Sequence, residues 1–296
     1  MNQFAKAHIA NAISTLLFGL NYWIAKGLMP DSFSPLQIIF FRTAGAAFFF
    51  SIISLFFKNE KISKKDHLKI AIAALFGVSI NQTMFFVGLN LSTPIETSII
   101  HASSPILVVV FASIMLKEVF SFKKIIGLLL GALGALILIL WGKEISIGSK
   151  GFIGNIFILT NISAYALYLV LIKPIMIKYK PINVIRWVFF YGLLFVLPII
   201  AYPATQISFS NVPIEKLFSL LYVVLGTTII TYLLTMYSLT KLSASVVGYY
   251  IYMQPLIVAI IGLWLNAEPL SYYKIVAALL IFIGVYMVSK QKEVKN

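Results

Sequence analysis

Apolar runs of roughly twenty residues follow one another along nearly the whole chain, parted by short connectors that carry Pro, Asn, Ser, Gly and Lys. About 20 apolar residues cross a bilayer as a helix, and connectors of that composition turn the chain. The pattern predicts ten spans near 8–28, 36–57, 68–90, 94–116, 123–141, 151–173, 183–203, 216–239, 243–265 and 271–289. The fold class expected from it is an all-α integral membrane protein. No low-complexity segment or soluble domain interrupts the spans. The run from Ile9 to Leu28 is of spanning length and no small-residue cleavage site follows it, so it reads as the first span rather than a signal peptide.

One run departs from the plain apolar pattern. The stretch from Thr93 to Pro105 carries Glu96, Thr97, Ser98, His101, Ser103 and Ser104 before it turns apolar and ends at Lys117–Glu118. Hydrocarbon does not tolerate such groups facing lipid, so they should face a cavity or a packed interior. The pattern then returns. Pro105, Glu118, Ser121, Lys124 and Gly134 match Pro255, Glu268, Ser271, Lys274 and Gly284, each pair 150 residues apart. Phe18, Asn21 and Lys26 align with Tyr165, Tyr168 and Lys173 at an offset of 147, and spans two and seven each follow a proline, Pro35 and Pro181. Five spans per half is an odd number, so the second copy enters the membrane upside down relative to the first. Two inverted copies of one unit, each with a polar-interrupted helix, is the picture of a transporter built from repeats. The expected units are 1–141 and 151–289, with 290–296 as a tail. The halves are unequal in chemistry: span two holds Arg42, whereas the counterpart position is Val188.

Composition narrows the class. With 60% hydrophobic residues, 11% charged and a mean hydropathy of +0.98, the 296-residue chain carries more apolar surface than a soluble core hides. The net charge of +14 would hint at nucleic acid in a soluble protein, but here the cations sit in the connectors. Seventeen lysines and arginines fall on the side that holds both termini and five on the other, which predicts cytoplasmic termini in a cell inner (plasma) membrane. The chain has no cysteine, which excludes disulfides and cysteine–metal sites.

The chain resembles the EamA-like branch of the drug/metabolite transporter superfamily. The residues that carry the resemblance are Phe18–Gly19–Leu20–Asn21 with Lys26, Ser34–Pro35 followed by Arg42, Ser103–Ser104–Pro105 with Lys117–Glu118, and Gln254–Pro255 with Ala267–Glu268. It covers about residues 8 to 289, with Phe18 standing where the family often has Trp. The resemblance implies ten helices in two inverted five-helix repeats around a central cavity. The first four helices of each repeat would line that cavity and the fifth helices would be peripheral. It implies no particular substrate, because substrates vary on one fold.

Candidate chemistry concentrates on spans one, three, four, six, eight and nine. In span four, Thr97, Ser98, His101, Ser104 and Pro105 share one helical face. Pro105 frees the carbonyl of His101, and Pro105 and Pro255 are candidate hinges. His101 is a candidate for solute contact or proton coupling; its alternative role is a neutral ring bonded to a neighbouring helix. Asn21, Asn81, Gln82, Tyr165, Tyr168, Thr231, Tyr250 and Gln254 complete the expected solute-binding set, alongside the hydroxyl stripe Thr227, Thr228, Thr231 and Thr235. Each can instead bond between helices, at about 0.6 kcal/mol. Arg42 costs about 2.5–3.5 kcal/mol at a helix centre and is a candidate for gate or substrate electrostatics or for a structural anchor. Glu96 is a candidate gate acid or a helix-start charge. Gly127, Gly131 and Gly134 include a GxxxG that serves packing within the chain or a weak homodimer contact.

Other classes lack their signatures. No G-x-S-x-G, H-E-x-x-H or paired intramembrane carboxylate points to an enzyme, and no P-loop points to ATP. No cofactor or metal is expected, and no nucleic-acid partner. Residues 9 to 25 contain no acid, which counts against cation-for-proton exchange. The expectation is a secondary transporter of a small polar or amphipathic metabolite, an amino acid or related compound, with export favoured and cation efflux or uptake as alternatives.

Overall fold

A computed structural model describes residues 2–57, 60–117, 122–140, 150–265 and 272–289. Glu118, Ser121, Trp141, Glu268, Ser271 and the 290–296 tail lie outside the described residues, as do the side chains of Tyr273 and Lys274.

Every regular element among the described residues is helical. The helices line up as α1 (Gln3–Lys26), α2 (Pro35–Leu55), α3 (Lys64–Leu91), α4 (Pro94–Leu116), α5 (Phe122–Leu140), α6 (Lys150–Lys178), α7 (Pro181–Thr205), α8 (Ile214–Lys241), α9 (Ala244–Trp264) and α10 (Tyr272–Ser289). Seven of them, α2, α3, α4, α6, α7, α8 and α9, are long and apolar enough to cross a membrane. Their outer faces carry large apolar side chains such as Leu55, Ile114 and Trp264, the last 83% exposed. Lipid, unlike water, accepts that surface.

Local sequence sets the helix starts. Ser34 accepts from the amide of Gln37 and Gln37 Oε1 accepts from the amide of Ser34, a reciprocal cap ahead of Pro35. Thr93 Oγ1 accepts from the Glu96 amide ahead of Pro94. Ser243, 150 residues later, does the same for Val246. Span six, expected to end at Lys173, continues through Pro174 to Lys178.

Packing repeats the offset seen in the sequence. The α3–α6 contact has its counterpart in α1–α8, and α4–α6 has its counterpart in α1–α9; α2 packs on α7, and α5 on α10. The third helix of each half widens to a π-helix in matching places, Leu75–Ile80 and Tyr222–Ile230. Such turns are rare and concentrate at functional sites. The fourth helix of each half breaks ahead of its proline, around Ala102–Ser103 and Tyr250–Tyr252. Lys26 closes the end of α3 by donating to the carbonyls of Leu89, Asn90 and Ser92 at 3.0, 2.8 and 2.8 Å. Lys173 closes α8 by donating to Leu239 and Leu242, both at 2.6 Å. A cation on the last carbonyls of a helix satisfies orphan acceptors and suits the dipole.

The glycine face of α5 is covered from within the chain. A Cβ on Gly131 would meet the Tyr252 ring at 2.8 Å, and one on Gly284 would meet the Gly127 carbonyl at 2.6 Å. The Tyr249 hydroxyl donates to that same carbonyl.

Candidate functional site

The core of the bundle holds a cavity lined from both halves. Phe18, Asn21 and Tyr22 of α1, Arg42 of α2, Asn81, Gln82, Phe85 and Phe86 of α3, and His101 of α4 come from the first. Asn161 and Tyr165 of α6, Tyr232 of α8, and Ile251 and Gln254 of α9 come from the second. The cavity volume is about 50 Å³, enough to hold ordered water among polar partners.

The polar side of this cavity is built on the two widened turns. Tyr232 donates its hydroxyl to the carbonyl of Gly77 at 2.7 Å, and Gln82 Nε2 donates to the same hydroxyl at 3.4 Å. Thr227, the counterpart of Gly77, accepts from Arg42 Nη2 at 3.4 Å. Each half thus reaches into the other's π-helix. Arg42 is 3% exposed, and its guanidinium lies over the Phe86 ring at 4.9 Å. Its Nε is buried with no partner, as are Gln82 Oε1 and Asn161 Oδ1. Beside them, Asn161 Nδ2 donates to the Asn81 carbonyl at 2.7 Å, and Asn81 Nδ2 donates to the Asn161 carbonyl at 3.3 Å.

The opposite side is aromatic. Tyr22, Phe85 and His101 meet edge to face, with ring centroids 5.5 to 5.7 Å apart. Tyr22 donates to Gln254 Oε1 at 2.8 Å, which ties α1 to α9. His101 Nδ1 lies 3.3 Å from the Thr97 carbonyl. A carbonyl only accepts, so Nδ1 is the protonated nitrogen of that pair.

Among the residues expected from sequence, the structure brings His101, Asn21, Asn81, Gln82, Tyr165, Gln254 and Arg42 to this cavity. It does not bring the others. Ser98 donates to the carbonyl of Ile95, and Thr97 and Ser104 are buried outside the lining. Thr231 donates to the Thr227 carbonyl within α8. Tyr168 packs in the core, its hydroxyl 3.6 Å from Met236 Sδ. Tyr250 meets His8 Nδ1 at 2.8 Å, away from the lining residues. Glu96 accepts from Ser92, whose hydroxyl also contacts Asn155 Oδ1, both at 3.0 Å. Pro105 and Pro255 flank the helix breaks without lining the cavity.

Tyr232, Phe85, Phe86 and Ile251 escaped the sequence reading. For two of them the signal was present: Tyr232 lies 150 residues after Gln82, and Ile251 lies 150 after His101. Phe85 and Phe86 sit in an apolar run where residue type does not separate cavity from lipid.

The EamA-like transporter family model matches the chain twice, over residues 5–140 and 152–290. The chain belongs to the EamA-like transporter family. Among curated relatives it is 24% identical to the uncharacterized transporter YyaM of Bacillus subtilis (strain 168), covering 87% of this chain and 85% of that protein. An uncharacterized transporter of Archaeoglobus fulgidus is 23% identical over 97% of this chain and 99% of its own length. A solved crystal structure shares the fold, with a TM-score of 0.72 at 16% identity and 96% of each chain covered. This EamA-like protein is therefore a membrane transporter rather than an enzyme.

Proposed function

We propose that this EamA-like transporter moves a small polar or amphipathic metabolite, an amino acid or a related compound, out of the cell by alternating access. The observation that carries the reading is the central cavity: its walls come from both halves and combine amides, phenols, an imidazole and one guanidinium with aromatic faces. Such a lining suits a solute with both polar and apolar parts. The two units, 1–141 and 151–289, act as inverted repeats that rock about the cavity. Contacts between them cross at both ends, which is what a rocking pair must make and break. At the end where α1 begins, Asp66 Oδ2 accepts from Lys178 at 2.5 Å and from Tyr179 at 2.8 Å. At the other end, Lys216 donates to the Gly27 carbonyl at 2.6 Å and Gln37 to the Pro203 carbonyl at 3.2 Å.

Radiolabelled counterflow in proteoliposomes against a panel of amino acids tests the solute class, and efflux from preloaded cells tests direction. The asymmetry of lysine and arginine between the two sides supports cytoplasmic termini. With no native cysteine, an impermeant maleimide added to intact cells should label Ser210→Cys and leave Lys61→Cys untouched until lysis; the reverse pattern sinks the orientation.

A further inference from the structure

We infer that the transported solute carries a carboxylate and that Arg42 is the group that receives it. The inference rests on the transport reading above and narrows its solute class. Arg42 offers five N–H donors in a planar fork. Its hydrogen bond is the one to the Thr227 carbonyl, at the long distance of 3.4 Å, and Nε is buried without a partner. None of the lining residues is an aspartate or glutamate, so Arg42 is the one fixed charge among them. A desolvated cation in that state attracts an anion. The fork matches a carboxylate bidentately, a geometry in which charge-assisted bonds are strongest.

The fold itself does not ask for a cation there. Counting from Pro35 and Pro181, the position equivalent to Arg42 in the second half is Val188, fully buried in the apolar core. The same helix position thus packs in the second half with no charge at all.

The remaining unpaired groups say what else the solute brings. Gln82 Oε1 and Asn161 Oδ1 are buried acceptors without partners, on residues that line the same cavity. Buried acceptors in that state are costly and fit a donor such as an ammonium. A zwitterion satisfies both sets: its carboxylate on Arg42, its ammonium on the amide oxygens, and an apolar side chain against Tyr22 and Phe85. A monocation meets the guanidinium with no carboxylate to shield it.

The test uses the purified full-length chain, read by thermal stabilisation in detergent and by counterflow in proteoliposomes. The probes are matched sets: L-amino acids, 2-hydroxy acids and 2-oxo acids, each beside its carboxamide, with the corresponding amines and tetraphenylphosphonium. The expected result is that at least one acid binds and moves while its carboxamide is weaker by about 10- to 100-fold, the value of a charged hydrogen-bonded contact. Arg42→Gln should erase that preference, and Arg42→Lys should retain part of it. If Arg42→Gln fails to fold, the wild-type acid–amide comparison and Arg42→Lys still decide. Equal handling of acids and carboxamides, or an Arg42→Gln protein that keeps the preference, overturns the assignment. Movement of neutral or cationic solutes alone overturns it too, yet leaves the transporter reading standing. A panel in which nothing moves removes both.

Discussion

Gln82 and Tyr232 stand 150 positions apart in the chain, at equivalent places in its two halves, and they touch: Gln82 Nε2 donates to the Tyr232 hydroxyl at 3.4 Å. A contact between equivalent positions marks where the halves face each other, and here that place is the wall of the cavity. The hydroxyl in turn donates a hydrogen bond to the Gly77 carbonyl at 2.7 Å. Tyr232→Phe keeps the ring and removes both bonds. It should cost about 1–3 kcal/mol for the carbonyl left unpaired and reduce transport as well. Thermal unfolding beside proteoliposome transport checks both, and a variant that matches wild type in each removes the pair from the site.

Gly77 admits the close approach of α3 to α6. A Cβ there would meet the Tyr168 ring at 2.3 Å, and the ring is fully buried with no room to withdraw. Gly77→Ala should destabilise by about 1–3 kcal/mol through overpacking. Gly45→Ala, whose Cβ would meet Val224 Cγ1 at 3.1 Å, should cost less. Detergent melting curves of the two variants should rank in that order.

His101 is 8% exposed and makes its ring contacts with Tyr22 and Phe85 in the cavity wall. If the ring serves the solute, His101→Ala should lose most transport, beyond what the loss of its two edge-to-face contacts, about 1–3 kcal/mol, takes from stability. His101→Gln separates shape from proton coupling: a proton role requires that this variant lose its response to an imposed pH gradient. Unchanged transport in both variants takes His101 out of the site.

Asp66 and Lys178 join the halves at the end where α1 begins. Under alternating access this contact must open in each cycle. Linking Asp66→Cys to Lys178→Cys with a short, reducible cross-linker should arrest transport almost fully, and reductant should restore it. A cross-linked protein that transports at the wild-type rate contradicts rocking at this end.

The sequence by itself determined the spans, their caps and the doubling of the unit. Hydrocarbon thickness fixes the length of an apolar run, and Ser34–Pro35 or Thr93–Pro94 start a helix through bonds to residues three places on. These are local effects, so residue type and spacing suffice. The 150-residue offset of Pro105 and Pro255 likewise needs only counting. Polarity already pointed Asn21, Arg42, Asn81, Gln82, His101, Tyr165 and Gln254 inward, but which of the other side chains join them at the cavity was decided by tertiary structure. Tyr250 and Tyr232 are the same residue on neighbouring spans of one half, yet Tyr250 binds His8 while Tyr232 lines the cavity. Ser98 and Thr231 bond to their own helices, whereas Phe85 and Phe86 turn inward. In a membrane both faces of a helix look alike in composition, because a lipid-facing surface is as apolar as a packed one. The rotation of each helix is set by the neighbours it packs against, such as α6 against Gly77, and those neighbours are remote in sequence.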